Sequence, residues 1–389
     1  MKIHPQIADL HEEMTAWRRD IHTHPETAFE EHRTSQLIAE KLESFGIEID
    51  KGLAGTGVVG IIEGNQPGDR AIGLRADIDA LDIHEQTNKP YSSKNPGKMH
   101  ACGHDGHTTM LLGAAKYLAD NRDFAGKVYV IFQPAEENEG GGRVMVEQGL
   151  FDKFPMDEVY GLHNWPGMPV GHVGMRVGPL MAAYDIFRIT VTGHGSHGAM
   201  PHDGIDPVLI SAHIITNLQT IASRNVDAQA SVVVSVTQVH GGDAYNVIPE
   251  EVELRGTVRS FSSEIQEMAE AKVKKIATTI AAAHGAEATV HYEHRYPPTI
   301  NAEAETHHAA NVAANVVGQE NVDTNVTPVM GSEDFSFMLN ERPGCYIWLG
   351  AGEKTANLHS PQFDFNDEIL PIGASYWAQL VEDTLGKAD

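Results

Sequence analysis

The feature that most constrains the fold is a block of six predicted elements between Tyr184 and Glu293. The spacing of its hydrophobic residues changes between that of strands and that of helices. It predicts strands at 184–193, 231–239, 251–261 and 287–293 and helices near 205–224 and 262–284. The resulting β-α-β-β-α-β order is that of a ferredoxin-like α+β domain. Because the block is complete within about 110 residues, a normal domain size, it predicts a separate inserted domain.

Helices and strands also alternate on both sides of this block. Before it, helices are predicted near 5–22, 33–45 and 106–121, and strands at 58–64, 71–79 and 127–133. After it come a helix near 305–317, a strand at 345–350 and a closing amphipathic helix. Such alternation predicts an α/β fold with helices covering a central sheet. We therefore predict one discontinuous domain, residues 1–181 and 294–389, interrupted by an inserted domain of residues 182–293.

Charge and hydropathy exclude several classes of partner. The 389-residue chain has a formal net charge of −26 at pH 7, which repels nucleic-acid phosphates and anionic membrane surfaces. No apolar run approaches the length of a membrane span. Residues 1–22 show helical spacing instead of the unbroken apolar region of a signal peptide. We therefore predict a cytoplasmic protein with no nucleic-acid or membrane partner.

The stretch HACGHDGHT at 100–108 is the first candidate site. Cys102 and His104 are one residue apart, and the glycines at 103 and 106 give the backbone freedom to turn both side chains toward one point. Thiolate and imidazole are preferred ligands of zinc and its late first-row neighbours. Alone, the pair is equally consistent with a buried cysteine and helix-capping histidines. The other cysteine, Cys345, lies in an apolar strand and is predicted to be a buried hydrophobe.

Two adjacent carboxylates, Glu136 and Glu137, follow the strand at 127–133. They repel one another unless a positive charge lies nearby, and a metal ion is the strongest such charge. One carboxylate would then bind metal while the other takes a proton from water. Acidic residues are also common in the first turn of a helix, so this pair alone does not decide between the two interpretations.

Two histidines, His163 and His359, each stand at the end of an apolar stretch. Either one alone would more often be a structural residue. All four elements, however, lie at strand ends or adjoining loops, where α/β folds assemble their sites. Together they predict a metal centre with a base, Glu136, beside five ligands: Cys102, His104, Glu137, His163 and His359.

Eight motifs, in order, resemble the M20 family of metallopeptidases and amidohydrolases: RADIDAL, HACGHDGHT, FQPAEE, LHNWP, SHGAMPHDGIDP, NVIPEEVELRGTVRSF, GSEDFSFM and NLHSPQFDFNDE. The resemblance runs from about residue 15 to 380. It is greatest to the subgroup of hippurate hydrolases, N-acyl-amino-acid amidohydrolases and auxin-conjugate hydrolases. It implies a catalytic domain with a usually dinuclear metal centre, and an inserted lid that commonly forms a dimer.

The resemblance assigns the same five ligands and the same base. It further implies that His197 of the lid hydrogen-bonds the scissile carbonyl, in its own or a partner subunit. Asn246 and Arg259 match positions that bind the substrate carboxylate, for which a planar guanidinium is well shaped. Gly331 and Ser332 belong to a loop that lines the pocket. Without the resemblance, His197 would be interpreted as a loop histidine and Arg259 as an edge-strand charge.

Several positions depart from the family pattern. Asp77 stands where most of the wider family has a histidine ligand, so Asp79 is expected to support the site without binding metal. Cys102 belongs to the subgroup pattern and compensates for the missing ligand. Asp82 replaces a usual proline and Asn138 a usual glycine. These two changes bear on the shape of loops and on substrate preference.

The resulting prediction is metal-dependent hydrolysis of N-acyl-L-amino acids, either hippurate-like or N-acetylated, by a homodimer or a dimer of dimers formed through the lid. One or two ions of zinc, manganese, nickel or cobalt are expected per subunit. A metal-dependent dipeptidase or carboxypeptidase is the main alternative. A hydrolase with Cys102 as nucleophile and a non-catalytic metal-binding protein are further alternatives. The spare Glu136 favours catalysis, because a closed structural site needs no base.

Overall fold

The computed structural model describes residues 1–137 and 139–386, which form two compact units. The first unit contains Met1–Leu180, Ile300–Thr327 and the C-terminal segment from Asp334. The second contains Met181–Thr299 and Pro328–Glu333. None of the described helices combines the length and the apolar character needed to cross a membrane.

The α-helices, numbered along the chain, are α1 (Pro5–Asp9), α2 (His11–Thr23), α3 (His32–Ser44), α4 (His104–Asp120), α5 (Gly141–Glu147), α6 (Leu150–Lys153), α7 (Pro207–Leu218), α8 (Ser263–Ala283), α9 (Glu303–Val317), α10 (Ser336–Glu341) and α11 (Leu370–Thr384). Short 3-10 helices occupy Pro201–Asp203, Gln319–Asn321 and Asp367–Ile369, and a π-helix occupies Ile221–Asn225.

The strands are β1 (Glu48–Leu53), β2 (Gly57–Glu63), β3 (Gln66–Asp77), β4 (Ala125–Gln133), β5 (Glu158–Pro166), β6 (Val173–Gly174), β7 (Gly178–Met181), β8 (Ala183–Thr192), β9 (Ser196–His197), β10 (Val232–His240), β11 (Val247–Ile248), β12 (Glu251–Ser260), β13 (Glu287–Tyr296), β14 (Thr299–Asn301), β15 (Val322–Asp323) and β16 (Gly344–Gly352).

An eight-stranded sheet forms the centre of the first unit, in the order β1-β2-β4-β3-β5-β16-β6-β15. Its four central strands, β4, β3, β5 and β16, are parallel. Their continuous apolar runs are buried, as expected for strands covered on both faces. The predicted α/β fold with a helix-covered sheet is confirmed.

Helix α4 is largely buried, with most of its residues from His104 to Leu118 inaccessible to solvent. It packs against α2 and α11. The helix predicted near 5–22 is instead two helices separated at Leu10, whose N–H bonds the Ile7 oxygen at 3.1 Å. This tighter turn interrupts the α-helical hydrogen bonding between the two helices.

The second unit has an antiparallel four-stranded sheet in the order β10-β12-β8-β13. Along the chain its elements follow the predicted β-α-β-β-α-β order, with α7 and α8 as the helices. Burial alternates strictly along β8, so one face of the sheet packs against the core and the other does not. Helix α8 contributes a stripe spaced four residues apart, Ala269, Val273, Ala277 and Ala281, which is fully buried.

The second unit extends beyond the six predicted elements. Strand β13 continues to Tyr296, three residues beyond the predicted apolar run. The second unit extends a further three residues, to Thr299. Residues Pro328–Glu333 also return to the second unit. They are held there by bonds from the Ala182 N–H to the oxygens of Val329 and Gly331, at 3.2 and 2.8 Å.

Candidate metal centre

The candidate ligands of the first unit converge because adjacent parallel strands end at one edge of the sheet. Glu136 and Glu137 follow β4, and His163 lies near the end of β5. His359 follows β16, and His104 is the first residue of α4. The chain segments before and after the second unit therefore contribute to the same place.

The two glycines of the HACGHDGHT stretch have different roles. Gly103 adopts a left-handed conformation with φ +99° at the start of α4, and a Cβ there would lie 2.2 Å from Oδ1 of Asn164. This position therefore requires glycine to turn the chain between Cys102 and His104. Gly106 lies inside α4, where a Cβ would lie 2.1 Å from the Phe365 ring. The predicted backbone freedom is used at Gly103, whereas Gly106 permits close packing.

Two non-glycine residues at the site also have left-handed backbones. Ala135, directly before Glu136, has φ +54°, and His359 has φ +63°. Such conformations cost about 1–3 kcal/mol each and persist only where the surroundings hold them. The loops that present the carboxylates and the last histidine are therefore held in shape by their contacts.

The structure brings all five predicted ligands together. Sγ of Cys102 lies 3.4 Å from Nε2 of His163, and Oε1 of Glu137 lies 3.0 Å from Nε2 of His359. Among these five ligands, donor atoms within 4.8 Å of one another form two sets, Cys102 with His104 and His163, and Cys102 with Glu137 and His359. The two sets share the Cys102 thiol. Glu136, which is buried, forms a further set with His104 and Glu137.

His104 provides the test of whether these residues fit a metal ion. Its Nδ1 lies 2.9 Å from the backbone oxygen and 3.1 Å from Oδ1 of Asp79. Its Nε2 is buried and has no hydrogen-bond partner among the described residues. A histidine with one nitrogen oriented by a carboxylate and the other left for coordination is the usual form of a metal ligand. The donor set therefore fits a divalent transition metal.

Charges around the donors shift their pKa values strongly. Burial lowers the pKa of His104, but the charge of Asp77 and the hydrogen bond to Asp79 outweigh burial and raise it to about 10. Burial, with the charges of Glu137 and Glu136, raises the pKa of the Cys102 thiol. Without metal the site therefore retains protons that a cation would have to displace.

Asp79 connects two of the candidate ligands. Its Oδ1 faces Nδ1 of His104 at 3.1 Å, and its Oδ2 accepts the Glu137 N–H at 2.9 Å. The side chain is buried. This position agrees with the expectation that Asp79 supports the ligands without being one of them.

His107 and Asp77 form a buried network beside the donors. Nδ1 of His107 lies 2.6 Å from Oδ1 of Asp77, and Nε2 lies 2.6 Å from Oδ1 of Asn164. Arg75 donates to Oδ2 of Asp77 at 2.7 Å. Both nitrogens of His107 are thus engaged, so it orients its neighbours. No sequence pattern singled out Asn164 or Arg75 as a supporting residue.

Asp82 and Asn138 are the two loop positions that depart from the family pattern. Asp82 is exposed, and its carboxylate lies 3.4 Å from Nζ of Lys98. Asn138 lies outside the described residues.

The remaining predicted site residues lie in the second unit. His197 is exposed on β9, which pairs with β11, and the neighbouring Gly198 N–H donates to the Asn246 oxygen at 2.7 Å. His197 and Asn246 are thus brought together. Arg259 donates to Oγ of Ser332 at 3.0 Å, and its guanidinium lies 4.0 Å from the centre of the Tyr184 ring. Arg259 therefore contacts the segment that contains Gly331 and Ser332.

A sheet edge that gathers thiol, imidazole and carboxylate donors beside a further carboxylate is typical of metal-dependent hydrolases. Residues 73–383 match the sequence profile of peptidase family M20/M25/M40, and the chain belongs to this family. The predicted family is confirmed, and the protein is a hydrolase of amide bonds.

Relatives match over nearly the whole chain. The chain is 42% identical to a hippurate hydrolase of Campylobacter jejuni, covering 98% of both proteins. It is 40% identical to an N-acetylcysteine deacetylase of Bacillus subtilis, covering 95% of this chain and 96% of that protein. A crystal structure of a dinuclear metal binding peptidase of the M20 family from Bacillus subtilis is similar, with a TM-score of 0.85, 36% identity and coverage of 98% and 100%.

Proposed function

We propose that this protein hydrolyses the amide bond of N-acyl-L-amino acids, releasing a carboxylic acid and a free amino acid, in a metal-dependent reaction. The observation that carries the proposal is the convergence of five donors around Cys102 with Glu136 buried beside them. The similarity to a hippurate hydrolase and an N-acetylcysteine deacetylase, both at 40% identity or above, supports this substrate class.

The proposed ligands are Cys102, His104, Glu137, His163 and His359. The two donor sets contain three donors each, with Cys102 common to both, which supports one ion for each set. Thiolate and imidazole suit zinc, nickel, cobalt or manganese according to supply. When bound, such an ion lowers the pKa of water toward neutrality and polarises the carbonyl of the substrate.

Residues of the chain transfer the proton, stabilise the carbonyl oxygen and bind the substrate carboxylate. The Glu136 carboxylate accepts a proton from the attacking water and later gives it to the leaving amine. His197 donates a hydrogen bond to the carbonyl oxygen as negative charge develops there, from the same chain or a second copy. The proposed carboxylate-binding residues are Asn246, Arg259, Gly331 and Ser332. The contact between Arg259 and Ser332 supports a joint role for these two side chains.

The alternatives are separated by different observations. A nucleophilic cysteine needs a lowered thiol pKa, whereas burial and two carboxylates raise that of Cys102. A closed structural site leaves no use for a buried base beside the donors. A dipeptidase or carboxypeptidase would use the same residues, so substrate assays must separate it from an N-acyl-amino-acid hydrolase.

The test is release of free amino acid from N-acetyl, N-benzoyl and dipeptide substrates, before and after chelation, with single metals added back. We expect activity on N-acyl amino acids that is lost with the chelator and returns with one metal. Preference for dipeptides would favour the peptidase. Activity that survives chelation but not alkylation would favour the Cys102 nucleophile, and tightly bound metal without activity would favour a binding protein.

Removal of Asp79 is expected to weaken the centre without removing a donor. Asp79→Ala leaves Nδ1 of His104 and the Glu137 N–H without their carboxylate, so metal affinity should fall by about 10- to 100-fold. Competition with a chelator measures this change. Asp82→Ala, at an exposed position nearby in sequence, is the matched control and should bind as the parent does. Equal affinities in the two variants would contradict a role for Asp79.

We also propose a homodimer, or a dimer of dimers, formed through the second unit. Strand β10 is an edge of its sheet and exposes Val233 and Val239, at 36% and 56%. Helix α7 exposes Val208 and Leu209, at 49% and 53%. A long apolar edge strand without charged or proline residues readily pairs with another chain.

Charge on the β10 edge should therefore yield monomers. The double variant Val233→Lys/Val239→Lys is expected to halve the mass measured by light scattering, because lysine on an edge strand blocks pairing. Val247→Lys, on the separate strand β11, replaces an equally exposed valine and should keep the parent mass. A double variant with the parent mass, or a monomeric parent, would exclude this interface.

The remaining proposals concern location and partners. The cytoplasm is the proposed compartment, because both cysteines are free thiols and a reducing environment preserves them. The small-molecule substrate is the proposed partner besides a second copy. A net charge of −26 argues against binding to nucleic acid.

A further inference from the structure

A buried carboxylate outside the donor cluster touches the loop that carries Glu136. Glu31 lies between α2 and α3 and is fully buried. Its Oε1 accepts the Ala135 N–H at 2.9 Å, and its Oε2 accepts the Thr56 hydroxyl at 2.7 Å. Both oxygens therefore have a donor, and one donor is the backbone of the residue directly before Glu136.

Ala135 needs such support because of its conformation. It is fully buried with φ +54°, a value that non-glycine residues rarely adopt. Its oxygen accepts the Gly141 N–H at 2.9 Å, so both of its backbone polar groups are engaged. Without Glu31, the Ala135 N–H would be buried without an acceptor, and the loop would gain by leaving its strained conformation.

The contacts of Glu31 are separate from those that hold the ligands. Asp79 accepts the Glu137 N–H, whereas Glu31 accepts the Ala135 N–H. The two carboxylates thus hold the residues on either side of Glu136. Burial and the charge of Asp79 raise the pKa of Glu31 to about 7. A neutral side chain of the same shape should therefore be tolerated at this position.

We propose that Glu31 is a positioning residue for the reaction: through the Ala135 backbone it fixes the loop that aims Glu136 at the attacking water. The inference rests on the proposed function, because it assigns Glu136 the role of base. Glu31 touches neither substrate nor metal in this scheme. Its loss should therefore reduce turnover more than substrate binding or metal content.

The experiment compares Glu31→Ala, Glu31→Gln and Glu26→Ala in the full-length, metal-loaded protein. Glu31→Ala should lower kcat on the order of 10- to 100-fold, the scale expected for a small misplacement of a reacting group. KM should change less than about threefold and metal per chain should stay constant. The Ala135 amide should exchange faster with deuterium. Glu31→Gln keeps an acceptor and should retain kcat within about threefold.

Glu26→Ala is the matched control. The Glu26 carboxylate accepts the N–H groups of Arg33 and Thr34, at 3.0 and 2.8 Å, at the start of the same helix α3. Its removal disturbs that helix without touching the Ala135 loop, so kcat and amide exchange at Ala135 should not change. Equal losses in Glu26→Ala and Glu31→Ala would overturn the inference, as would a Glu31→Ala loss of kcat proportional to lost metal.

Two further comparisons keep the result decisive. If Glu31→Ala does not fold, Thr56→Val removes one of the two bonds that hold the carboxylate, and it should lower kcat and speed exchange at Ala135 by smaller factors. Unchanged kcat and unchanged exchange at Ala135 in Thr56→Val would overturn the inference.

If Glu136→Gln turns over as fast as the parent, the proposed base is wrong. If it is inactive while Glu31→Ala is fully active, only the role of Glu31 is wrong.

Discussion

Glu136→Gln is expected to abolish amide hydrolysis while metal content stays at the parent level. Glutamine has nearly the same shape but cannot accept a proton from water, and loss of a positioned base costs about 10²- to 10⁴-fold in rate. The five proposed donors are left in place, so the metal stoichiometry should not change. Turnover of N-acyl amino acids and metal per chain, measured on the same preparation, check both parts.

The control for this variant is Glu139→Gln. Glu139 is exposed in the same loop after β4, so its neutralisation tests whether a change of loop charge alone lowers the rate. It should retain the parent kcat. Comparable activity of Glu136→Gln and the parent would remove Glu136 from the role of base, and joint loss of metal and rate would make it a ligand.

Cys102→Ala is expected to have the largest effect on metal binding. Both donor sets contain the Cys102 thiol, so one change removes a donor from each. Loss of an outer partner alone costs about 10- to 100-fold in metal affinity, and loss of a shared donor should cost at least about 100-fold. Turnover at limiting metal should fall accordingly. Metal titration and assays over a range of metal concentrations measure both effects.

Cys345→Ala is the natural comparison, because the chain has two cysteines. Cys345 is fully buried in β16, away from the donor sets. Its replacement should lower the free energy of unfolding by about 1 kcal/mol, typical of a core substitution, without changing metal affinity. If Cys102→Ala kept its metal but lost all activity, the thiol would be a nucleophile and not a ligand.

The sequence predicted the chemistry of the site better than the contacts that support it. Glu136, Glu137 and His359 follow strands, and His163 lies near the end of one, whereas Cys102 and His104 stand at the start of α4. Parallel strands bring their ends together whatever their spacing along the chain. The residue types of these side chains also limit what they can bind. The site could thus be assembled from the sequence pattern, even though its members come from distant segments.

Supporting residues have no comparable signature. Glu31 lies in a loop among other acidic residues, and Asn164 follows a candidate ligand without a distinguishing pattern. Their roles depend on which backbone N–H or imidazole nitrogen lies opposite them after folding. Gly106 illustrates the same limit, because its need for a small side chain arises from the Phe365 ring of a remote segment.

Hydrophobic periodicity also could not predict where some helices and units begin and end. Helices α1 and α2 are separated at Leu10, where the N–H bonds the Ile7 oxygen, although the hydrophobic pattern of the sequence runs through this residue without a change. The return of Pro328–Glu333 to the second unit depends on bonds to Ala182. Neither segment carries a compositional change that marks the boundary.

The discontinuity of the first unit has a consequence for biosynthesis. Strand β16 lies between β5 and β6 in the central sheet, yet its residues follow the whole inserted segment Met181–Thr299. During synthesis, every residue of the second unit precedes β16, so this unit can fold around its own core before the central sheet is complete. His359 emerges later still. A nascent chain therefore cannot assemble the complete donor set, or bind metal through all five donors, until His359 has been synthesised.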